Sequence, residues 1–270
     1  MSAAHLRRIA AIVLRQLYLV RGSPARFIPL FAWVAIDMVL WGFISRYLNT
    51  VAPPGFNFVP ALLGAVLLWD FFIRVMQGVT TAFFEDVWSR NFLNIFATPL
   101  SIAEYVSGLV LSSILTSSVG LAVMIAMASL VFGLSFFGFG LLLIPFLLAL
   151  FLFGIALGVL GSSLVLRLGP AAEWFVWPIP ALVSPFAGVF YPLDTLPRWM
   201  QDVAYLLPPA YVFESLRKII AGRTVPGEAL ALGVGLALLD LALACWVFTR
   251  VYRRAVRTGL IARYSAETVS

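Results

Sequence analysis

Long runs of apolar residues dominate the chain and predict most of its structure. Six of them come close to or exceed the roughly 20 residues that an α-helix needs to cross the hydrocarbon core of a bilayer. The predicted spans are residues 27–48, 58–83, 105–132, 136–166, 174–191 and 229–248. The pattern therefore predicts an all-α integral membrane protein, with six transmembrane helices in a domain over residues 27–251.

Residues 1–26 show an amphipathic pattern instead. At helical spacing, apolar residues share one face and arginines share the other. The apolar face comprises Leu6, Ile9, Ile12, Val13, Leu17 and Val20, and the basic face comprises Arg7, Arg8, Arg15 and Arg21. A helix of this kind lies in the plane of the membrane interface, so we predict an N-terminal interfacial helix.

The segment over residues 191–222 is apolar but interrupted by prolines. Pro192, Pro197, Pro208 and Pro209 divide it into two short helices, each with an apolar face. Irregular backbone at membrane depth is tolerated only where protein or a water-filled cavity covers it. We therefore predict two short outer re-entrant helices between spans five and six.

Composition and charge place the chain in the membrane and orient it. Apolar residues make up 62% of the sequence and charged residues 11%, whereas soluble domains have about 45–50% and 25%. Twelve of the eighteen lysines and arginines lie in the four segments that an even number of spans puts on one side. The positive-inside rule predicts that this side is cytoplasmic, with both termini and a basic tail over residues 252–270. This distribution accounts for the net charge of +6 without a nucleic-acid partner.

The residues that most enzymes and metal sites need are scarce. His5 is the single histidine and Cys245 the single cysteine, so no cluster of these two residues can bind zinc. The sequence has neither an H-E-x-x-H motif nor a phosphate-binding G-x-x-x-x-G-K-[ST] loop. We predict no catalytic residue, no metal site and no cofactor in this chain, so uphill transport would draw on an ion gradient or on a partner.

Four ionisable residues fall within predicted spans, namely Asp37, Asp70, Arg74 and Asp240. Charges at this depth are costly and usually face the protein interior. They could form a proton or cation pathway, or they could pair between helices, with Arg74 bridging two of the acids. The pattern favours pairing, because spans one to four look continuous and secondary carriers often have interrupted helices at midplane.

The segment over residues 84–100 is amphipathic, mixed in charge and predicted to be cytoplasmic. Pro99 ends it, and Ser101 is placed to cap the next helix. A short helix here could dock into a groove on a soluble partner. It could equally be an interfacial connector, and the residues alone leave both interpretations open.

Two motifs and the overall layout carry a resemblance to a known family. The first motif is SPFAGVFYPLDTLPRWM at 184–200, continued by LPPAY at 207–211 and by residues 214–217. The second is NFLNIFATPLS at 91–101. With an amphipathic N-terminus, six spans and short loops, the chain resembles the permease subunits of ABC-2 type exporters. These subunits serve drug, polyketide, lipo-oligosaccharide and polysaccharide export.

The resemblance implies a homodimer of this chain with two copies of an ABC ATPase subunit, which would bind ATP and Mg²⁺, in a bacterial cytoplasmic (inner) membrane. It implies a coupling helix over about residues 85–97, whose ATPase contacts would be Glu85, Asp86, Trp88, Arg90, Asn91 and Asn94. It also implies an outer gate comprising Phe190, Tyr191, Pro192, Pro197, Trp199, Pro208 and Tyr211.

The function expected from the resemblance is the membrane subunit of an ATP-driven exporter for a hydrophobic or lipid-linked substrate. A drug-like molecule, a lipid and a glycan all remain open. The main alternative is an ion-coupled secondary transporter using Asp37, Asp70 and Asp240. A membrane enzyme or assembly factor acting on lipid is a third possibility, and it requires a polar cluster at one depth.

Overall fold

A computed structural model describes residues 3–51, 58–89, 91–134 and 140–260. Within those ranges every regular element is helical, and five helices are long and apolar enough to cross a membrane. They are Pro24–Val51, Val59–Trp88, Ile102–Phe132, Gly140–Leu168 and Gly227–Arg257. The predicted all-α membrane fold is confirmed. Phe136 (the predicted start of span four), Arg90 and the last ten residues of the basic tail lie outside the described residues.

Twelve α-helices follow one another along the described chain. The long ones are α3 (Pro29–Val51), α4 (Gly64–Trp88), α6 (Ile102–Phe132), α7 (Leu143–Leu168) and α12 (Gly227–Arg257). The others are α1 (Ala3–Arg21), α2 (Pro24–Phe27), α5 (Phe92–Phe96), α8 (Glu173–Val176), α9 (Ile179–Ala187), α10 (Arg198–Ala204) and α11 (Pro208–Ile220). A five-residue π-helix over Val59–Leu63 leads into α4.

Helix α4 lies at the centre of the bundle, between α6 and α7. Helix α6 also contacts α1 and α3, and α7 also contacts α12 and α11. Of the most apolar window in each helix, 67% is buried in α4 but only 20% in α3 and 17% in α12. The outer helices therefore present broad apolar faces, which include Phe43 of α3 and Trp246 of α12 and suit a lipid environment.

Glycines allow α7 to approach α4 closely. A Cβ atom added at Gly158 would lie 2.8 Å from Val79 Cβ and 2.9 Å from the Met76 carbonyl oxygen. One added at Gly154 would lie 3.0 Å from Val75 Cβ. Small residues at such crossings bring backbones together and increase van der Waals contact, which drives helix association in lipid.

The predicted N-terminal amphipathic helix is confirmed as α1, which packs against α6. Ile9 and Ile12 are buried in that contact, and Ile12 lies 2.6 Å from where a Cβ at Gly108 would be. Arg15 belongs to the predicted basic face, but its side chain is only 29% exposed because it pairs with Asp86.

The predicted fifth span, residues 174–191, is not one long helix. The structure has two short helices there, α8 and α9, separated at Trp177 and Pro178. Pro178, Pro180 and Pro185 lack the backbone N–H groups that a continuous helix needs. The described residues therefore hold five long apolar helices, and a broken segment stands where the sequence pattern predicts the fifth of six spans.

The two short helices predicted after this segment are present as α10 and α11. Arg217 of α11 donates hydrogen bonds to the Gly188 carbonyl oxygen at 2.6 Å and to Glu214 Oε1 at 2.7 Å. The same carboxylate oxygen accepts a 2.9 Å hydrogen bond from the Leu193 backbone N–H. These bonds fasten the turn after α9 to α11. The depth of α10 and α11 in the membrane stays a prediction.

Candidate functional site

A cavity of about 690 Å³ opens among α1, α2, α3, α4 and α6, and we call it the central cavity. Its floor is one face of α4, where polar residues recur every three or four positions and so line up along the helix. These residues are Asp70, Arg74, Gln77, Thr81 and Glu85. Because α4 is the most buried long helix, this polar stripe runs through the middle of an otherwise apolar bundle.

Helix α6 faces this stripe with a row of hydroxyl groups, from Ser112, Ser113, Thr116 and Ser117. Most of these hydroxyls bond to backbone. Ser113 Oγ, for example, donates to the Val75 carbonyl oxygen at 2.9 Å and so joins α6 to α4. Ser117 Oγ is buried and has no hydrogen-bond partner within the described chain. The wall is therefore polar but uncharged, and it has capacity left for a ligand.

Three of the four predicted intramembrane charges meet at the central cavity. Asp37 of α3 and Asp70 and Arg74 of α4 all line it, and Arg74 lies within electrostatic range of both carboxylates. The methylene stem of Arg74 passes 3.3 Å from where a Cβ at Gly120 of α6 would be. Asp240 of α12 is not among the lining residues, so the structure separates it from the other three.

Asp70 differs from Glu85 in its hydrogen bonds and ion pairs. Its Oδ2 atom is buried and accepts no hydrogen bond from any residue that the structure describes. By contrast, Glu85, farther along the same stripe, forms an ion pair with Arg26 of α2 at 3.1 Å. The two acids thus sit in different electrostatic environments within one cavity.

A second polar group, which we call the Asp86 cluster, consists of Arg15, Asp86 and Tyr105. Asp86 and Tyr105 are fully buried. Tyr105 donates a hydrogen bond of 2.7 Å to Asp86 Oδ2, and Arg15 donates one to Asp86 Oδ1. Burial lowers the pKa of Arg15, but the hydrogen bond and charge of Asp86 outweigh this and leave it raised. The cluster ties α1 to the end of α4 and the start of α6.

Glu104 forms a neighbouring junction at the start of α6. It closes a capping box with Ser101, in which the Ser101 N–H donates to Glu104 Oε2 at 2.7 Å and the Glu104 N–H donates to Ser101 Oγ at 3.2 Å. The predicted capping role of Ser101 is confirmed. His5 and Arg8 of α1 also contact Glu104 Oε1, so α1 is fastened to the bundle at two points.

The residues predicted to contact an ATPase are not equally accessible. Asp86 is fully buried in its cluster, whereas its predicted role requires a surface that a soluble partner can reach. Glu85 is largely buried beside Arg26. Trp88 is half-exposed and donates a 2.8 Å hydrogen bond to Glu173. Asn94 on α5 is exposed and bonds to Asn91 at 3.1 Å.

The helix in this region is also shorter than expected. The resemblance implies one coupling helix over about residues 85–97, but Glu85 and Asp86 belong to the last turn of α4. Only α5, five residues long, remains as a separate helix. The exposed residues described in this region are Trp88, Ser89, Asn94 of α5 and residues 97–99.

The residues predicted for an outer gate lie around the turn after α9 and along α10 and α11. Phe190 stacks on Trp41 of α3 with ring centroids 4.9 Å apart. Tyr191 donates a 2.7 Å hydrogen bond to the Pro185 carbonyl oxygen, and Tyr211 donates a 2.9 Å one to that of Tyr205. Pro197 and Pro208 mark the starts of α10 and α11, Trp199 is exposed on α10, and Pro192 precedes a single 3-10 turn.

Sequence reasoning missed several residues that the structure brings into these sites. The hydroxyl row of α6 was visible as the run SSILTSS at 112–118, and the α4 stripe as polar residues spaced by three and four. Arg15 and Tyr105 gave no such signal, because their shared partner Asp86 is far from Arg15 in sequence. Within the described chain, no group of three or more His, Cys, Asp and Glu residues could hold a metal ion.

Comparison with known proteins gives one positive finding. The sequence model of the family described as ABC-2 type transporter matches residues 9–221. The match covers most of α1, the central cavity, the Asp86 cluster and the hydrogen-bonded pair Glu214 and Arg217, which we call the Arg217 clamp. No curated protein sequence matches the chain.

Proposed function

The chain belongs to the ABC-2 type transporter family, and on that premise we propose that it is the permease subunit of an ATP-driven exporter. It moves a hydrophobic or lipid-linked substrate out across a bacterial cytoplasmic membrane. The observation that carries the proposal is the family match over residues 9–221, which spans most of a multi-pass membrane chain.

The energy for this transport comes from a separate chain. The sequence has no G-x-x-x-x-G-K-[ST] loop to cradle ATP phosphates. We therefore propose that two copies of the chain assemble with two ABC ATPase subunits, which bind ATP and Mg²⁺. The broad apolar faces of α3 and α12 offer room for contact with lipid and with a second copy.

The end of the bundle that carries α5 is the proposed ATPase-facing side. Exposed Asn94 and the turn over residues 97–99 present backbone and side chains to a partner. Next to them, the Asp86 cluster and the Glu104 junction join α1, α4 and α6 into one unit. A push on α5 would thus reach the helices that line the central cavity, because packed and ion-paired elements move together.

The proposed topology follows from this orientation. Both termini are cytoplasmic, and α8 with α9 forms a broken fifth crossing. The proline-rich turn, α10 and α11 then lie at the outer side. The Arg217 clamp would hold this outer region in one conformation while the membrane-spanning helices move.

A second candidate function is an ion-coupled secondary transporter, and one observation favours it. Asp37, Asp70 and Arg74 line one cavity within the membrane bundle, and such charges mark ion pathways in many carriers. Asp240 lies apart from this group, so the alternative now rests on two acids instead of three.

Purification of the tagged chain from its native host in mild detergent, followed by mass spectrometry, tests the exporter proposal. We expect a P-loop ATPase at a one-to-one ratio, and ATP-dependent transport when the complex is placed in liposomes. A chain that purifies alone and transports in response to an ion gradient would overturn the proposal and support the secondary transporter.

A further inference from the structure

The charges that line the central cavity do not balance. Three acids and two arginines border it, namely Asp37, Asp70, Glu85, Arg26 and Arg74. Glu85 and Arg26 form an ion pair at 3.1 Å and neutralise each other. Asp37 and Asp70 are left with Arg74 as their common counter-charge. When all three carboxylates are ionised, the described residues that line the cavity therefore leave one negative charge in excess.

This excess charge lies near the middle of long apolar helices, where an unbalanced charge is destabilising. Asp70 and Arg74 are near the middle of the long helix Val59–Trp88, and Ser117 faces them from near the middle of α6. An unbalanced carboxylate is strongly destabilised in a low-dielectric site. Asp70 Oδ2 is buried without a hydrogen-bond donor from the described chain. The site thus lacks one positive group beside Asp70.

The cavity also has the size and surface of a small-molecule site. Its volume of about 690 Å³ is within the roughly 300–1,000 Å³ of ligand pockets. Ile73 and Ala82 make part of the lining apolar, and the indole of Trp33 is exposed at its edge. Trp33 lies one turn before Asp37 on the same face of α3, so an aromatic ring and a carboxylate can act on one cation.

From these observations we propose that the central cavity binds an amphiphilic organic cation, with Asp70 and Asp37 holding its charged group and Trp33 and Ile73 its apolar body. The inference deepens the proposed function, on which it rests, by naming the substrate class. It argues against a phosphate-linked glycan lipid in this cavity, because such an anion would add negative charge to a site that already has an excess.

Arg74 has a distinct role in this arrangement. Its guanidinium lies within electrostatic range of both acids and partly compensates them, so the cavity is matched to a single positive charge. A dication would leave the site with an excess positive charge, which is as costly as the excess negative charge that it replaces. The site therefore selects for one charged nitrogen or phosphonium centre on an apolar body.

The test uses a pair of ions that match in shape and differ in sign. The chain is purified in detergent, and binding of radiolabelled tetraphenylphosphonium is measured by equilibrium dialysis against protein-free micelles, with tetraphenylborate as the anionic counterpart. We expect saturable binding of the cation and none of the anion. Equal retention of both ions, or no saturable binding of the cation, would overturn the proposal.

Variants then locate the site. We expect Asp70→Asn to weaken binding of tetraphenylphosphonium by at least about tenfold, because a buried ion-pair partner is lost, and Asp37→Asn to weaken it as well. Asp240→Asn is the matched control, since Asp240 is also within a span but does not line the cavity. Each variant is first checked for folding by gel filtration, and a folded Asp70→Asn protein with unchanged binding contradicts the proposal.

A proton could also neutralise Asp70, as an ion-coupled carrier would require. An organic cation can displace such a proton, so binding would still depend on Asp70. Tetraphenylphosphonium binding that does not depend on Asp70 would show that the carboxylate does not hold the cation, and the proposal fails. Because the binding assay contains neither ATP nor an ATPase, its result is separate from that of the exporter proposal. Cation binding without ATP-driven transport would overturn only the exporter, and ATP-driven transport without cation binding would overturn only the substrate class.

Discussion

At the scale of single residues, the acids of this chain differ in what surrounds them. Asp86 has two donors, Arg15 and Tyr105, and is fully buried. Asp70 Oδ2 has no donor within the described chain, although it is buried in the same helix. A buried carboxylate with partners holds a structure together, whereas one without them is available to a ligand. This contrast assigns Asp86 to the scaffold and Asp70 to the cavity.

Asp86→Ala should destabilise the fold. The change leaves the fully buried Tyr105 hydroxyl and the largely buried Arg15 without their acceptor, which costs about 2–4 kcal/mol. Thermal unfolding of the purified chain in detergent measures this as a clear drop in melting temperature. Glu85→Ala is the matched control, because its partner Arg26 is 39% exposed and can be hydrated when the carboxylate is lost. Equal melting temperatures for the two variants would refute the structural role of Asp86.

At the scale of elements, the bundle depends on how closely its helices approach. Helix α4 meets α7 at Gly154 and Gly158, and it meets α6 where Ser113 Oγ bonds to the Val75 carbonyl. Lipid tails are as apolar as leucine, so association here depends on packing and on hydrogen bonds between helices. Contacts made through small residues are therefore sensitive to one added methyl group.

Gly158→Ala should separate α7 from α4. The new Cβ would lie 2.8 Å from Val79 Cβ and 2.9 Å from the Met76 carbonyl oxygen, so one of the backbones must shift. We expect a loss of about 1–3 kcal/mol, read as a lower melting temperature. Gly235→Ala in α12 is the control, because nothing lies within 4 Å of its Cβ position. A Gly158→Ala protein as stable as the Gly235→Ala protein would mean that the close crossing does not exist in the membrane.

At the scale of the whole molecule, the two ends of the bundle have different chemistry. One end carries α1 and α5 with the Asp86 cluster and the Glu104 junction. The other end carries the proline-rich turn with the Arg217 clamp. The central cavity lies between them, within the bundle. In the proposed exporter, the first end receives the motion of an ATPase and the second controls exit.

Asn94→Arg should reduce the ATPase activity of the assembled complex without unfolding the chain. Asn94 is exposed on α5, so an arginine fits there but changes the surface that a partner would contact. We expect a loss of at least about tenfold, as for disruption of an interface hot spot. Asp202→Arg places the same side chain on exposed α10 at the other end and should leave this activity near wild type. Equal activity of the two complexes would remove α5 from the proposed coupling surface.

The amino-acid sequence by itself determined the class of the protein and most of its helices. Apolar runs have to become helices in a bilayer, since every backbone N–H and C=O group must be satisfied within the segment. The amphipathic period of α1 and the Ser101 cap are likewise local properties, and both predictions were confirmed. The broken segment at 174–191 was predicted as a span because its apolar content outweighed the effect of Pro178, Pro180 and Pro185.

Only the tertiary structure decided which polar residues meet. Asp86 looked like an exposed coupling residue in an amphipathic segment, but the fold brings Arg15 to it from 71 positions away and buries both acid and tyrosine. Likewise, Asp70 and Arg74 share one face of α4 by their spacing, but only helix packing brings Asp37 of α3 to the same cavity and leaves Asp240 of α12 outside it. Periodicity reports which face of a helix is polar, whereas the identity of the neighbour across that face depends on contacts between distant segments.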